Sequence, residues 1–267
     1  MNINKMDVQR GWSWIMGGWR VVKKDISLWV GMGLIFMLIA IVLKLIPFIG
    51  LLLLVLLGPM VMAGAMQIAD TIDQGTYVKP AASGSGLGQL PQRMIAWFQY
   101  AAGRLFSAFT DEDKVLPLMV ISTLTLGIVV IINILAVLLK VDGSAMSAMF
   151  AGSVGPRIWV PALIGWLLVM VLQLVVVMGV LYAVPLILFR RDPPLVAIEK
   201  SFIACKHNLM AVIVFGLPFL AISMLISTLF FTLPFPRDYL SMLILGWLTV
   251  PFFATGLYRS YRDIFGR

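Results

Sequence analysis

Tyr182–Met210 reads YAVPLILFRRDPPLVAIEKSFIACKHNLM. A long apolar run breaks at Pro185, crosses Arg190-Arg191-Asp192-Pro193-Pro194, and restarts through Ser201-Phe202, Lys206 and Asn208. Lys and Arg stay out of the hydrocarbon layer and set the orientation of the spans beside them. Proline removes a backbone donor and ends or kinks a helix. The stretch therefore reads as the floor of one membrane hairpin and the start of the next.

Composition agrees. The chain has 267 residues, of which 61% are hydrophobic and 12% charged, and a mean hydropathy of +1.02; soluble domains carry roughly a quarter charged residues. Several apolar runs reach the roughly 20 residues that a bilayer core requires, and the short alternating segments of a barrel are absent. The expected fold is an all-α integral membrane protein forming a single transmembrane domain over residues 1–267. Its net charge of +8 is the topological excess of a polytopic chain, so no nucleic-acid partner is expected. Cys205 is the only cysteine and makes no internal disulfide. The first 25 residues, with Trp12, Trp14, Trp19 and scattered charges, do not look like a cleaved secretory signal.

Six spans are expected, in three hairpins, each preceded by an amphipathic cytoplasmic helix. In the first such helix, Val8, Trp12, Ile15, Trp19 and Val22 share one face opposite Gln9, Ser13, Arg20 and Lys24. It would lie in the interface with Lys23 and Lys24 toward anionic lipid, or else bind a cytosolic partner. Spans one and two are Ile26–Ile46 and Leu51–Ala69; Lys44 snorkels to the far interface and Pro59 kinks the second span. Residues 70–114 form a cytoplasmic loop with a flexible Gly/Ser part at Ala81–Gly86 and a second amphipathic helix, with Met94, Ile95, Phe98, Ala102, Leu105, Phe106 and Phe109 on one face. Asp111-Glu112-Asp113 reads as a solvated loop, not a cation site. Spans three and four are Val115–Leu139 and Trp159–Phe189. The third amphipathic helix presents Leu195, Ile198, Phe202, Cys205 and Leu209, and spans five and six are Met210–Leu233 and Tyr239–Leu257. Tyr258, Arg259, Tyr261, Arg262 and Arg267 form an aromatic and basic anchor.

With this topology only Lys44, Lys140, Arg157 and Arg237, of the 20 Lys and Arg, fall on the far side. Both termini are therefore expected in the cytoplasm. A parallel internal repeat is also expected. At an offset of 183, Trp19, Lys23, Lys24, Asp25, Ile26, Gly33 and Leu34 meet Phe202, Lys206, His207, Asn208, Leu209, Gly216 and Leu217; at an offset of 192, Leu56, Pro59 and Gly64 meet Leu248, Pro251 and Gly256. Pro59, Pro185 and Pro251 mark a kink in each second span.

Tyr182-Ala183-Val184-Pro185-Leu186-Ile187, then Asp192-Pro193-Pro194, Ala197, Ser201-Phe202, Ala204-Cys205-Lys206 and Asn208, resembles the signature of a family of uncharacterised six-span inner-membrane proteins of Gram-negative bacteria. The chain is more loosely similar to the YciC-type membrane proteins. Gly11-Trp12, Pro47-Phe48-Ile49-Gly50 and Pro59 extend the likeness, while His207 and the long Gly/Ser loop depart from it. The resemblance implies a fold and a bacterial inner-membrane location, and carries no substrate or reaction.

Little chemistry is available to an enzyme. His207 is the only histidine, and no Asp or Glu falls inside an expected span, which disfavours a proton path. Asn133 and Gln173 would bond between spans three and four; the span hydroxyls would bond their own helices. No catalytic residue, cofactor or metal site is expected. The reading is a non-enzymatic membrane protein acting through the bilayer, anionic lipid or another membrane protein, with surface contacts at Trp12, Trp19, Lys23, Lys24, Arg190, Arg191, Phe202, Lys206 and Asn208. The alternatives are a channel or facilitator for a small neutral or apolar solute, and a lipid-modifying enzyme using His207, Asp111 and Glu112.

Overall fold

A computed structural model of the chain describes residues 3–46, 49–77, 90–139, 156–231 and 237–266. All regular structure among them is helical: α1 Arg10–Lys24, α2 Ile26–Lys44, α3 Ile49–Asp73, α4 Leu90–Leu105, a 3-10 turn Ser107–Thr110, α5 Glu112–Leu138, α6 Pro156–Val180, α7 Ala183–Arg190, α8 Pro194–His207, α9 Leu209–Phe231 and α10 Arg237–Phe265. The Ala81–Gly86 segment, Pro47-Phe48, most of the Lys140–Ile158 connection, Pro234-Phe235-Pro236 and Arg267 lie outside the described residues.

Among the described residues, five helical stretches are long and apolar enough to cross a membrane: Ile26–Lys44, Leu52–Asp73, Asp113–Leu138, Leu163–Arg190 and Leu209–Ile226. The expected sixth span, Tyr239–Leu257, falls within α10 and is not among these five. Burial grades the bundle: 44% of the apolar window in α3 is buried but only 17% in α9, so α3 is interior and α9 peripheral. The core gathers toward one end of the molecule, in Met60–Ile72 of α3, Ala183–Leu188 of α7 and Ala254–Phe265 of α10. At the opposite end Val42, Leu45, Ile49, Ile134, Val137 and Leu138 are exposed.

The three amphipathic helices exist, and each packs into the bundle largely through residues other than the large apolar ones that marked its apolar face in the sequence. In α1, Gly11, Trp14, Gly17, Gly18, Val21 and Val22 are buried, while Val8, Trp12 and Met16 are exposed. In α4, Ala101 and Leu105 are buried and Ile95 and Phe98 exposed; in α8, Ala197, Ser201, Ala204 and Cys205 are buried and Leu195 is 71% exposed. Counting large apolar side chains misses this, because helices in a membrane approach each other through small residues. A Cβ on Gly11 would stand 2.2 Å from the Ala211 carbonyl, and one on Gly18 would stand 2.8 Å from the Gly256 amide. Both obstacles are backbone and cannot swing away.

Each amphipathic helix packs chiefly on a pair of helices other than the pair it leads into. α4 lies on α2 and α3, α8 on α6 and α7, and α1 on α9 and α10. Within the pairs, α2 packs on α3, α5 on α6, and α9 on α10.

The apolar run ending at Arg190 is interrupted at Leu181-Tyr182, so Pro185 occupies the first turn of α7, where an amide donor is not required. Ser201 of α8 bridges the break: its hydroxyl accepts from the Tyr182 amide at 2.9 Å and donates to the Met178 carbonyl at 2.7 Å. A side chain thus stands in for the missing i→i−4 bond. Pro59 and Pro251 lie inside α3 and α10, which continue through them. The span hydroxyls behave as expected: Ser122, Thr125, Ser223 and Thr228 donate to carbonyls of their own helices. Asn133 does the same, donating to Val129 at 2.8 Å in place of the expected bond to α6.

Ser201→Ala strands a buried amide and a buried carbonyl, each a penalty of about 1–3 kcal/mol. The expected result is a clear drop in melting temperature in detergent, recovered in part by Ser201→Thr; unchanged melting of Ser201→Ala would refute the bridging role.

Candidate functional site: the polar layer at the helix ends

Polar and aromatic side chains converge where α1, α3, α7 and α10 end. The last turns of α3 carry Asp70 and Asp73, although carboxylates at a helix C-terminus are disfavoured by the helix dipole. α10 supplies the compensation. Arg259 and Arg262 both pair with the Asp73 carboxylate, and the Tyr258 hydroxyl donates to Asp70 Oδ1 at 2.7 Å. Burial, and then the neighbouring Asp70 carboxylate, push the Tyr258 phenol above its usual value, so it remains a donor. Lys24 Nζ donates to the Ile72 carbonyl at 3.1 Å and caps α3. Arg190 caps α10 by donating to the Phe265 carbonyl, its guanidinium 5.8 Å above the Phe265 ring.

Two single-residue junctions join the amphipathic helices to the spans. Asp25, between α1 and α2, is buried and accepts from the Leu28 amide (3.2 Å), the Ser27 hydroxyl (2.6 Å) and the Tyr77 hydroxyl (2.8 Å). Burial first, and then its bond to Asp25, raise the Tyr77 phenol. Asn208, between α8 and α9, is also buried; its Oδ1 accepts from the Met6 amide at 2.7 Å and its Nδ2 donates to the Asn4 and Ala204 carbonyls. The Asn4 amide donates to the Ile264 carbonyl at 2.9 Å, tying the N-terminal segment to α10.

The expected contact residues therefore occupy different settings. Trp12 is 56% exposed. Trp19 stacks on Phe252 at 5.4 Å, with the Lys23 ammonium 5.1 Å over its ring. Lys24 and Arg190 cap helix ends inside the layer. Arg191 is exposed, adopts the left-handed conformation (φ 55°) that ends α7, and approaches Asp113 at 3.7 Å. Phe202 is half-buried, Lys206 exposed and Asn208 buried. The expected Tyr258–Arg262 anchor is not a surface feature: Tyr258 and Tyr261 are 1% and 4% exposed. Phe189 packs against both, at 6.0 and 5.5 Å.

Beside this layer lies a polar cavity of about 300 Å³, lined by Gln67, Asp70, Thr71, Arg104, Ser107 and Lys114. Ser107 donates to Gln67 at 2.7 Å. Lys114 pairs with Asp111 at 2.6 Å and holds that carboxyl below its usual value. Among the described residues no group of three His, Cys, Asp or Glu is placed to hold a metal ion. The cavity offers hydrogen bonds to a small polar group; its lining includes no nucleophile paired with a base. Sequence reasoning missed Asp25, Asp70, Asp73 and Ser201 as structural centres. Asp25 and Ser201 had appeared in it only as a repeat position and a signature position.

Asp73→Asn leaves two partly buried guanidinium groups without a carboxylate. The expected cost is about 2–4 kcal/mol, between that of a surface pair and a buried one, measured as a lowered thermal midpoint; an unshifted midpoint would refute the pairing. Burial pushes the Cys205 thiol up to about 12, against an ordinary value of about 8.5. From about pH 8.5 upward the unfolded chain ionises this thiol and the folded chain does not, so its contribution to stability falls as pH rises. Maleimide should modify Cys205 at pH 8 only after denaturation; rapid labelling of folded protein would contradict the burial.

Comparison of the chain with protein-family models, with curated proteins and with solved structures returned no match.

Proposed function

We propose that the chain is a non-enzymatic multi-pass protein of a bacterial inner membrane that acts through lipid or protein contacts on its cytoplasmic face. The observation that carries this reading is a contrast. The Asp70 and Asp73 carboxylates are engaged by Tyr258, Arg259 and Arg262 within the polar layer, while the large apolar side chains of all three amphipathic helices, among them Trp12, Met16, Ile95, Phe98 and Leu195, face outward. A surface of that kind suits association with a bilayer or a neighbouring membrane protein.

The proposal includes six spans, with α10 as the sixth, both termini in the cytoplasm, and descent from a three-unit parallel repeat. Support for the repeat comes from α1 and α4 each lying on a hairpin pair that it does not lead into, and from the matched junctions Asp25 and Asn208; α8 departs from this, lying on the two halves of the broken fourth span. Membership of the six-span family that the Tyr182–Asn208 signature resembles belongs to the same proposal. The facilitator alternative needs a path between the second spans, whose ends are instead filled by Phe189, Tyr258 and Tyr261.

A C-terminal fluorescent-protein fusion should fluoresce and an alkaline phosphatase fusion should be inactive; the reverse pattern overturns the orientation. Photo-crosslinkers at Phe98 and Leu195 should capture lipid or a membrane protein in native membranes. Solute flux in proteoliposomes that disappears on replacing Pro59 or Pro251 would favour the facilitator.

A further inference from the structure

α1 is held into the bundle by Gly11, against Ala211 and Phe215 of α9, and by Gly18, against Thr255 and Gly256 of α10. Ala211 and Phe215 are in the first turns of a helix able to cross the membrane, so α1 sits at the depth where headgroups meet acyl chains. Its outward side meets α9 in a groove of about 620 Å³, within the range of about 300–1,000 Å³ typical of small-ligand sites.

The groove has two chemically distinct parts. Val8, Trp12 and Met16, spaced four residues apart, form one apolar wall and Val214 the other. Gln9, Ser13 and Arg20 form its polar edge. The Ser13 proton is used by the Arg10 carbonyl at 2.8 Å, which leaves Gln9 and Arg20 as donors. Arg20 is exposed, is the only charged residue lining the groove, and has no acidic partner among the described residues.

The apolar wall does not stop at Val214. Met210, Ile213, Leu217, Leu220 and Met224 continue along α9 at spacings of three and four and are all exposed, so the groove opens lengthwise onto hydrocarbon. An unpaired guanidinium at one end and a membrane-facing apolar track at the other match an anionic headgroup on an acyl chain. A Trp at the rim suits the same interface.

We infer that the α1–α9 groove seats one phospholipid with a net anionic headgroup, its phosphate at Arg20 and an acyl chain against Met16, Trp12 and the outer face of α9. This rests on the reading of the protein as a lipid-contacting membrane protein and assigns that contact a place and a charge preference. Lys23 and Lys24, the expected lipid-facing pair, are not part of it.

The test is native mass spectrometry of the full chain released from nanodiscs of phosphatidylcholine containing phosphatidylglycerol. Wild-type protein should retain phosphatidylglycerol in preference to phosphatidylcholine. Arg20→Gln should lower that preference about fivefold, equivalent to about 1 kcal/mol for one cation at the surface. Lys5→Gln, which removes the same charge outside the groove, should leave it unchanged. A bulky Met16→Trp variant should reduce retention of both lipids at the seat.

Equal phosphatidylglycerol retention by wild type and Arg20→Gln would overturn this seat and leave the lipid-contact reading standing. No preference in any variant, together with no lipid captured by the crosslinkers, would overturn both. A two-chain mass abolished by Met16→Trp would assign the groove to a second copy and overturn the lipid assignment.

Discussion

Asp70 and Asp73 oppose the dipole of the helix that carries them, and the rest of the structure is arranged around that conflict. Their compensation comes from the far end of the chain, through Tyr258, Arg259 and Arg262. α3 therefore ends stably only once α10 has docked. Lys24 adds α1 to the same point, and Arg190 ties the end of α7 to the end of α10. Segments remote in sequence share one set of hydrogen bonds, laid over the local backbone caps at Asp25, Gly75, Arg191 and Gly266.

Close approach makes that convergence geometrically available. Gly11 and Gly18 let α1 lie backbone-to-backbone on α9 and α10, and Gly64 does the same for α3, where a Cβ would stand 2.0 Å from the Leu105 carbonyl. Ala197, Ser201 and Ala204 provide the equivalent face on α8. Large side chains on these faces would hold the helices apart, and the short reach of Asp73 would no longer meet two guanidinium groups. Packing in the layer and pairing of its charges therefore depend on the same small residues.

This explains which features were legible in the sequence. Helix positions followed from apolar run length and from punctuation by Pro and charge: the boundary at Asp25 is where the sequence pattern placed it, and the helix after Asn208 starts at Leu209, one residue before the expected Met210. Packing contacts did not follow, because the pattern was read from large apolar residues, whereas these helices approach one another through small ones. Trp12, Phe98 and Leu195 were read on apolar faces, and these residues are exposed, while the contacts made through Gly18, Ala101 and Ala197 were passed over. The tail around Tyr258–Arg262 was misread for a related reason. Basic and aromatic residues at the end of a span usually anchor it at the interface, but here α3 offers carboxylates at the same level, a pairing between distant segments that no local pattern encodes.

Saturation of the inner layer bears directly on where recognition takes place. Asp73 is held by two arginines, Asp70 by Tyr258 and Gln74, Gln67 by Ser107, and Lys114 by Asp111. A ligand binding these paired groups of the polar cavity would have to break a bond already made there, and the net gain of such an exchange is small. Arg104 at the cavity's rim, Arg20 and Lys206 are different: all three are exposed and none has an acidic partner among the described residues. Each lies on an amphipathic helix that also exposes large apolar side chains: Trp12 and Met16 on α1, Ile95 and Phe98 on α4, and Leu195 and Val196 on α8. A partner bringing negative charge and apolar surface together gains at these places what it cannot gain inside. The pairing within the polar layer therefore directs binding to the outward flanks of α1, α4 and α8.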